Sequence, residues 1–559
     1  MSNRYRQFLP RFSTEPALKK INALMALKRV RVALLLLVLV IISLRLLVHV
    51  NGGAGGVFGF TSDDVAQQTV LAQWEKHGAS GAMLGNDNWA VKYPLYIATN
   101  HLDISPQARA TLSAWALVTA TIILMVVILW KIIDLEIDAK YRFRGLVYLL
   151  PILMAVSVSP TIITLMAGIN ARNIEIPIFL FLTYLLLNYE KYSRSGSLKQ
   201  ALTAIILIGI LLFDDPLFKF MGLFSLLAVY IGRLVLGWST FDRVIRVVGA
   251  SFAGMALAVI LNVIFMQLLS VYYIERPSEI STFPAFVIHL QMAVSQNLEL
   301  FNANFWGRKL GFGAGVTSLN ALIVGIGLVA SWRLLWQKGA RLGSNAAHQY
   351  IGLLLPWSIL VVSLSGFDAE TRYFILTPFI LYLSLVIAAS REVIGSRLII
   401  ILALLLGIAG LYNISKSVQD FTTAPMRAVN VEQKELSKIL QERNLTKGMA
   451  TFWRANINSF YTNYQTDVLS VSCWNESKRV TYNPILSATG VIKSYADKSF
   501  ILFYPESSAS GGEEECKLET IIHKFGPPDE IIEIPTEQKG RIAIYNRDVV
   551  PNLISGANQ

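Results

Sequence analysis

The sequence lacks the short signatures that identify many soluble enzymes. It has no phosphate-cradling Gly-x-x-x-x-Gly-Lys and no zinc-binding His-Glu-x-x-His, and its six histidines are scattered. His77 and His101 share the first polar loop with Asp63 and Asp64. Their separation predicts no ligand geometry for a divalent ion, so neither a metal nor a cofactor is expected. Charge is scarce as well: 15% of the 559 residues are charged, 54% are hydrophobic, and mean hydropathy is +0.50. That balance excludes a soluble globule of ordinary make-up. A net charge of +12 would suit nucleic acid if it were gathered on one surface. Most Lys and Arg instead sit in short segments between apolar runs, so no nucleic-acid partner is expected.

What the chain has in quantity is long hydrophobic runs. They fall near residues 32–50, 110–131, 145–166, 174–189, 201–213, 220–237, 247–270, 316–332, 348–366, 373–390 and 398–413. The expected fold is therefore a polytopic α-helical membrane protein of about eleven transmembrane helices. Residues 1–31 form a basic segment ending in Lys28-Arg29-Val30-Arg31. The run after it is long for a signal peptide, and no small-residue cleavage site follows it cleanly. It reads as an uncleaved first span with a cytoplasmic N-terminus, opening a transmembrane module over 32–413 with external loops at 51–109 and 271–315. An odd number of spans places residues 414–559 outside. Counting Lys131 and Arg233 at the ends of their runs, the segments placed inside hold 23 Lys and Arg against 9 in the outer loops. The positive-inside rule supports this orientation, in a bacterial inner membrane with a periplasmic tail.

Candidate chemistry starts in the first external loop. Asn51-Gly52-Gly53-Ala54-Gly55-Gly56 lets the chain turn off the bilayer, and Phe60-Thr61-Ser62-Asp63-Asp64 follows. Asp63 or Asp64 could deprotonate an acceptor hydroxyl, and Lys92 could hold a phosphate. The same Ser62 and Asp63 also suit the start of a helix over 65–74. Arg45, inside the first run, reads either as a side chain snorkelling to the interface or as a phosphate contact. Asp63, Asp64, Arg172, Glu175, Asp214, Asp215, Lys219, Asp368, Glu370 and Arg372 are all expected at the outer ends of spans. Charges so close to a bilayer line a cavity or pair with one another, since a lone one at a span centre costs roughly 2.5–3.5 kcal/mol.

Three stretches resemble the GT-C superfamily of lipid-phosphate-sugar glycosyltransferases, in particular the bacterial branch of protein mannosyltransferases and the lipid A aminoarabinose transferase. They are Asp63-Asp64 followed by Lys92-Tyr93-Pro94-Leu95-Tyr96; Gly168-Ile169-Asn170-Ala171-Arg172-Asn173-Ile174-Glu175-Ile176-Pro177; and Thr371-Arg372-Tyr373-Phe374-Ile375-Leu376-Thr377-Pro378. Tyr93 stands where the family often has a first proline, and the turn Asp214-Asp215-Pro216-Leu217-Phe218-Lys219 departs from the family's Lys-Gly-Pro type.

The resemblance implies a polyprenyl-phosphate-linked sugar as donor and a hydroxyl of a cell-envelope lipid, glycan or protein as acceptor, with membrane lipids as surroundings. Asp63 or Asp64 would be the general base, and Arg372, then Lys92, would face the departing phosphate, with Arg172 and Arg45 as further phosphate candidates. Tyr96, Glu175, Asp214, Asp215 and Tyr373 are the substrate-binding candidates; both tyrosines also suit an interfacial belt. Two other classes remain open: a multi-span transporter or flippase of a lipid-linked precursor, and an O-antigen polymerase or ligase with its essential residues in a late external loop. A helix over 283–301, lying on the membrane surface, is expected in the second external loop.

After Asn413 the composition changes. A charged helix over 426–443 and strands over 448–453, 467–474, 499–504 and 540–545 predict a small external α/β domain of about 130 residues. It holds both cysteines, Cys473 and Cys516. An oxidising compartment predicts a disulfide between them, worth roughly 4 kcal/mol in the chain-entropy model. A reporter active only in the periplasm, fused after Asn413, should be active. A stably made but inactive fusion would reverse the orientation and relocate every candidate residue.

Overall fold

The computed structural model describes residues 15–50, 62–78, 83–84, 90–138, 140–168, 172–191, 198–269, 272–273, 280–305, 311–336, 346–365, 371–423, 431–483, 490–504, 515–536 and 539–553. At 15, 48–50, 62–64, 83–84, 269, 272–273 and 420–423 only the backbone is described.

Among the described residues, seven helices are long and apolar enough to cross a membrane: Lys28–Leu47, Pro106–Glu136, Phe241–Leu268, Phe312–Leu335, Ala346–Leu364, Thr371–Ser390 and Ser396–Gln419. Arg144–Ser157 and Pro160–Ala167 make an eighth if taken as one span, bent by 71° at the break. Pro160 supplies no N–H and holds Ser159 extended, and the Ser159 hydroxyl accepts from Ile162 N–H to start the second half. The carbonyls that the break leaves over are met from outside the helix. Arg45 donates to Val156 O at 3.0 Å and Val158 O at 2.7 Å, and Asn413 donates to Ser157 O at 3.0 Å. Arg45, expected at the interface or on a phosphate, is 1% exposed and satisfies a broken backbone instead.

The remaining apolar runs form shorter helices: Glu175–Lys191 and Leu198–Asp214, of 17 residues each, and Lys219–Leu223 running into Phe224–Val235. At 1.5 Å per residue, 17 residues reach about 25 Å, a little under a hydrocarbon core.

Contacts at the helix ends define two polar ends of the bundle. One holds Lys92 with Glu175, Arg172 with Asp215, Thr371 with Gln296, and Ser281 with Ser365. The other holds Asn22 with Arg142 and Gly145, Asp134 with Tyr148, and Glu136 with His348 and Arg391. Glu190 with Tyr230 and Arg243, and Arg333 with Val393 O, belong to that second end. The amphipathic helix Glu15–Ala26 lies there. Its Leu18 and Met25 are buried, and Asn22 grips the start of the bent pair, donating to Arg142 O at 2.8 Å and accepting from Gly145 N–H at 2.7 Å.

The two-residue strands β1 (Met83–Leu84) and β2 (Tyr272–Tyr273) pair in parallel and tie the first loop to the second. The second loop contains the expected helix, Phe283–Leu300. The C-terminal unit is a six-stranded sheet of β3 (Lys447–Thr451), β4 (Asp467–Trp474), β5 (Arg479–Tyr482), β6 (Ser499–Phe503), β7 (Glu530–Glu533) and β8 (Arg541–Tyr545), in the order β5-β4-β3-β6-β8-β7. The inner trio β4, β3 and β6 is parallel and the outer strands are antiparallel. Alternate residues feed two cores, one on each face: Met449, Leu469, Val471 and Ile501 on one side, and Ala450, Val468, Phe500 and Leu502 on the other. A disulfide joins Cys473 on β4 to Cys516, before the helix Leu518–Phe525. The helix expected over 426–443 is observed as Val431–Glu442.

This unit docks on the helix Ser62–His77 of the first loop. Residues 65–74 are buried without a break. Ala66, Val70, Leu71 and Trp74 pack with Tyr93, Tyr96 and Phe452, and Val65 packs with Ala110, Ile457 and Phe460. Lys76 and His77 both reach Asp467, at 2.6 and 2.8 Å, and Thr69 donates to Asn456 O at 3.2 Å. Tyr464 donates to Asn100 at 2.9 Å, and Arg109 to Asn463 at 2.7 Å.

A side chain at Gly145 would place its Cβ 2.6 Å from the Asn22 Cα, a contact that only backbone movement relieves. Gly145→Val should therefore dislodge the Glu15–Ala26 helix and lower stability by about 1–3 kcal/mol, read as a fall in unfolding temperature in detergent. An unchanged temperature would mean that the helix is not held there in solution.

Candidate functional site

The loop end of the bundle gathers most of the candidate residues, each held by a local device legible in its own segment. Lys92 closes the 3-10 turn Ala90–Lys92, with Pro94 in the first turn of the helix that follows, Tyr93–Asn100. Glu175 opens the helix Glu175–Lys191 and reaches back to accept from Asn173 N–H at 2.8 Å, as a first-turn carboxylate does at an N-terminus. Asn173 is itself pinned, donating to Met166 O at 3.2 Å. Asp214 ends the helix Leu198–Asp214, Pro216 prevents its continuation, and Asp215 accepts from Leu217 N–H at 3.0 Å in a side-chain turn. Arg372 lies in the 3-10 turn Thr371–Phe374, fixed by Thr371 to Gln296 and by Thr377 to Asn297 of the helix Phe283–Leu300.

Tertiary contacts join these pieces. Lys92 Nζ lies 2.8 Å from Glu175 Oε1, with both side chains fully buried. Asp214, also fully buried, accepts from Val91 N–H at 3.0 Å, and its Oδ2 has no hydrogen-bond partner among the described residues. Next to it, Asp215 takes a two-pronged contact from the Arg172 guanidinium, through Nε and through Nη2 at 3.2 Å. Arg172 also donates to Arg372 O at 3.4 Å, and the Tyr373 ring lies 5.8 Å from the Arg172 guanidinium carbon and 5.4 Å from that of Arg372.

The result is a graded electrostatic surface. Lys92 and Arg172 are buried and neutralised by their own carboxylates, whereas Arg372 is exposed. Of the positive groups in this cluster, Arg372 is therefore the one an incoming anion reaches first. Its planar fork matches phosphate oxygens.

Lys92, Arg172, Glu175, Asp214, Asp215, Arg372 and Tyr373 are thus brought together, although they come from four separate regions of the chain. Arg45 is not among them; it caps the broken helix. Tyr96 is fully buried in the packing between the first loop and Phe452. The side chains of Asp63 and Asp64, and all of Asp368 and Glu370, lie outside the described residues; the backbone places Asp63 and Asp64 in the first turn of Ser62–His77. His77 pairs with Asp467 and His101 with Glu75, so the two histidines face different partners. The sequence reading did not single out Asn173, Gln296, Asn297 or the Val91 amide, which hydrogen-bond the candidate residues or their neighbours and so aim them. Asn173 alone carried a signal, two residues before an acid at a helix start. No protein-family model matches the sequence, and no curated protein matches it either.

A buried ion pair is most sensitive to losing one partner. Lys92→Met or Glu175→Gln should each destabilise the protein by about 3–5 kcal/mol, while Lys92→Met with Glu175→Met should cost less than either. Denaturant unfolding of the purified variants measures this. Additive losses would show that the two side chains do not interact.

Proposed function

We propose that the protein is an integral membrane glycosyltransferase of the GT-C type, transferring a sugar from a polyprenyl phosphate to a hydroxyl of an envelope lipid, glycan or protein. The observation that carries this reading is the convergence of Arg372, Arg172, Lys92 and three carboxylates at one end of an apolar bundle. An anionic lipid headgroup, held by its tail in the bilayer, meets its counter-charge at that depth.

In this reading all eleven apolar runs cross the membrane. Glu175–Lys191 and Leu198–Asp214 each have one terminus in the charge cluster, at Glu175 and at Asp214, and the other near Glu190 or Lys199; the third short helix starts at Lys219, just after the Asp214-Asp215-Pro216 turn, and ends near Arg233. The first loop touches the C-terminal unit, so the number of crossings between them must be even. Ten helical passes after the first span meet that condition. With the N-terminus inside, the loop, the charge cluster and the C-terminal unit then share the periplasmic face.

The acceptor oxygen attacks the anomeric carbon as the bond from that carbon to the phosphate oxygen breaks. Asp63 or Asp64 takes the acceptor proton, and the polyprenyl phosphate leaves with the bonding electrons, its negative charge met by Arg372. Lys92 and Arg172, already paired, hold the loop and the turn in register around it. A flippase of the same lipid would use the same cation and no base.

The carboxylates decide between these. Asp63→Asn or Asp64→Asn should leave the protein folded and able to bind donor but slow transfer by about 100-fold to 10,000-fold, because Asn keeps the shape and loses the basicity. Asn also caps a helix nearly as well as Asp, so a capping role predicts two fully active variants. Arg372→Lys should weaken donor binding while leaving the fold intact. The readout is mass spectrometry of glycolipids and polyprenyl-phosphate sugars extracted from cells carrying each variant. Full transfer by both Asn variants would remove the catalytic assignment.

A further inference from the structure

The end of the bundle away from the charge cluster contains a cavity of about 490 Å³, within the range of small-molecule sites. Its walls come from the ends of four helices, and three of these are C-termini: Glu136 of Pro106–Glu136, Glu190 and Lys191 of Glu175–Lys191, and Ser390 of Thr377–Ser390. Helix C-termini carry unsatisfied carbonyls and a partial negative charge. One cation already answers them, since the Lys191 ammonium donates to Leu135 O. The fourth wall is His348, in the first turn of Ala346–Leu364; it is 2% exposed, and its Nδ1 has no hydrogen-bond partner among the described residues.

The side-chain charge has the same sign as the carbonyls. Four carboxylates line the cavity, against Lys191 and Arg391 as its permanent cations. Two of the four are already matched: Glu136 by Arg391 at 3.0 Å and His348 at 3.1 Å, and Glu190 by the Tyr230 hydroxyl and by Arg243 at 3.3 Å. Asp138 and Glu392 form no ion pair among the described residues, although Asp138 accepts from Lys140 N–H at 2.8 Å. The surplus is negative, and it lies where the three helix ends add to it.

We propose that this cavity binds a small organic polycation bearing two or more ammonium groups. One ammonium hydrogen-bonds to a helix-end carbonyl, as Lys191 does within the fold, and a second one reaches Asp138 or Glu392. A bare metal ion fits less well, because among the described residues no three His, Cys, Asp or Glu side chains converge as ligands. The inference is independent of the transfer reaction proposed above; it uses none of the same residues.

Spermidine titrated calorimetrically into the purified full-length protein in nanodiscs should give one saturable site. Asp138→Asn with Glu392→Gln, both at exposed positions, should raise its Kd about tenfold, in line with the loss of two solvent-screened ion pairs, and should leave the unfolding temperature without ligand unchanged. Magnesium chloride or sodium chloride at matched ionic strength should give no such saturable heat. The absence of saturable spermidine binding, an unchanged Kd in the double variant, or equal heats from either salt would each overturn the proposal.

Discussion

The structure depends on a joint made by one polar helix with no solvent-facing side between residues 65 and 74. Ser62–His77 buries Gln67, Gln68, Thr69 and Gln73 together with Val65, Ala66, Val70 and Leu71. Such a mixed helix is unstable alone and would be a poor membrane span. It is stable here because its two sides meet different chemistry. Toward the bundle, Gln68 donates to Thr99 at 3.0 Å and to Ser113 at 2.9 Å. Toward the C-terminal unit, Thr69, Lys76 and His77 find Asn456 and Asp467. Remove the bundle and the buried Gln68 amide loses its partners; remove the C-terminal unit and the Thr69 hydroxyl loses its own, and each loss costs more than the contact contributes when made.

The same logic sorts the charges of the bundle. Between its two ends the interior is aliphatic, and among the described residues Arg45 is the ionised group set deepest in it, with its guanidinium on two backbone carbonyls. Carboxylates and bases collect where the helices stop, and there they pair. At one end Arg372 is exposed where Lys92 and Arg172 are buried; at the other, four carboxylates line a cavity. The proposed ligands, an anionic lipid headgroup and an organic polycation, follow from these two local surroundings and not from the net charge of either end.

Hydrophobic periodicity and length made the bundle legible, because within the described residues the apolar runs are largely helical, although seven or eight, and not eleven, are long and apolar enough to cross a membrane. Charge placement made much of the candidate cluster legible: Arg172, Glu175, Asp214, Asp215 and Arg372 belong to the charges expected at the outer ends of spans, whereas Lys92 stood out separately as a phosphate candidate in the first loop. What the sequence concealed has physical causes. The run 145–166 reads as one span because its apolar residues continue through Ser159-Pro160, and only the bend shows why an arginine lies in the first helix. In the C-terminal unit, residues 452 and 453 read as the end of a strand but start the helix Phe452–Tyr461, rich in Asn and aromatic residues of modest helix propensity. Burial against the first loop overrides that propensity. Strands β5 and β7 were missed for a related reason: four residues at a sheet margin carry too little alternation to stand out.

The joint also sets the order in which the molecule can be completed. Thr69 and Asn456 are 387 residues apart, and Lys76 and Asp467 are 391 apart. At roughly 5–20 residues per second, the ribosome adds the second half of the joint some 20–80 s after the first. For that interval Ser62–His77 exists with a bare apolar and amide-rich face, and every span between must be inserted before its partner arrives. Assembly of the joint therefore waits on residues made 387 to 391 positions after the loop they cover, and a chain truncated before β4 leaves that loop unsealed.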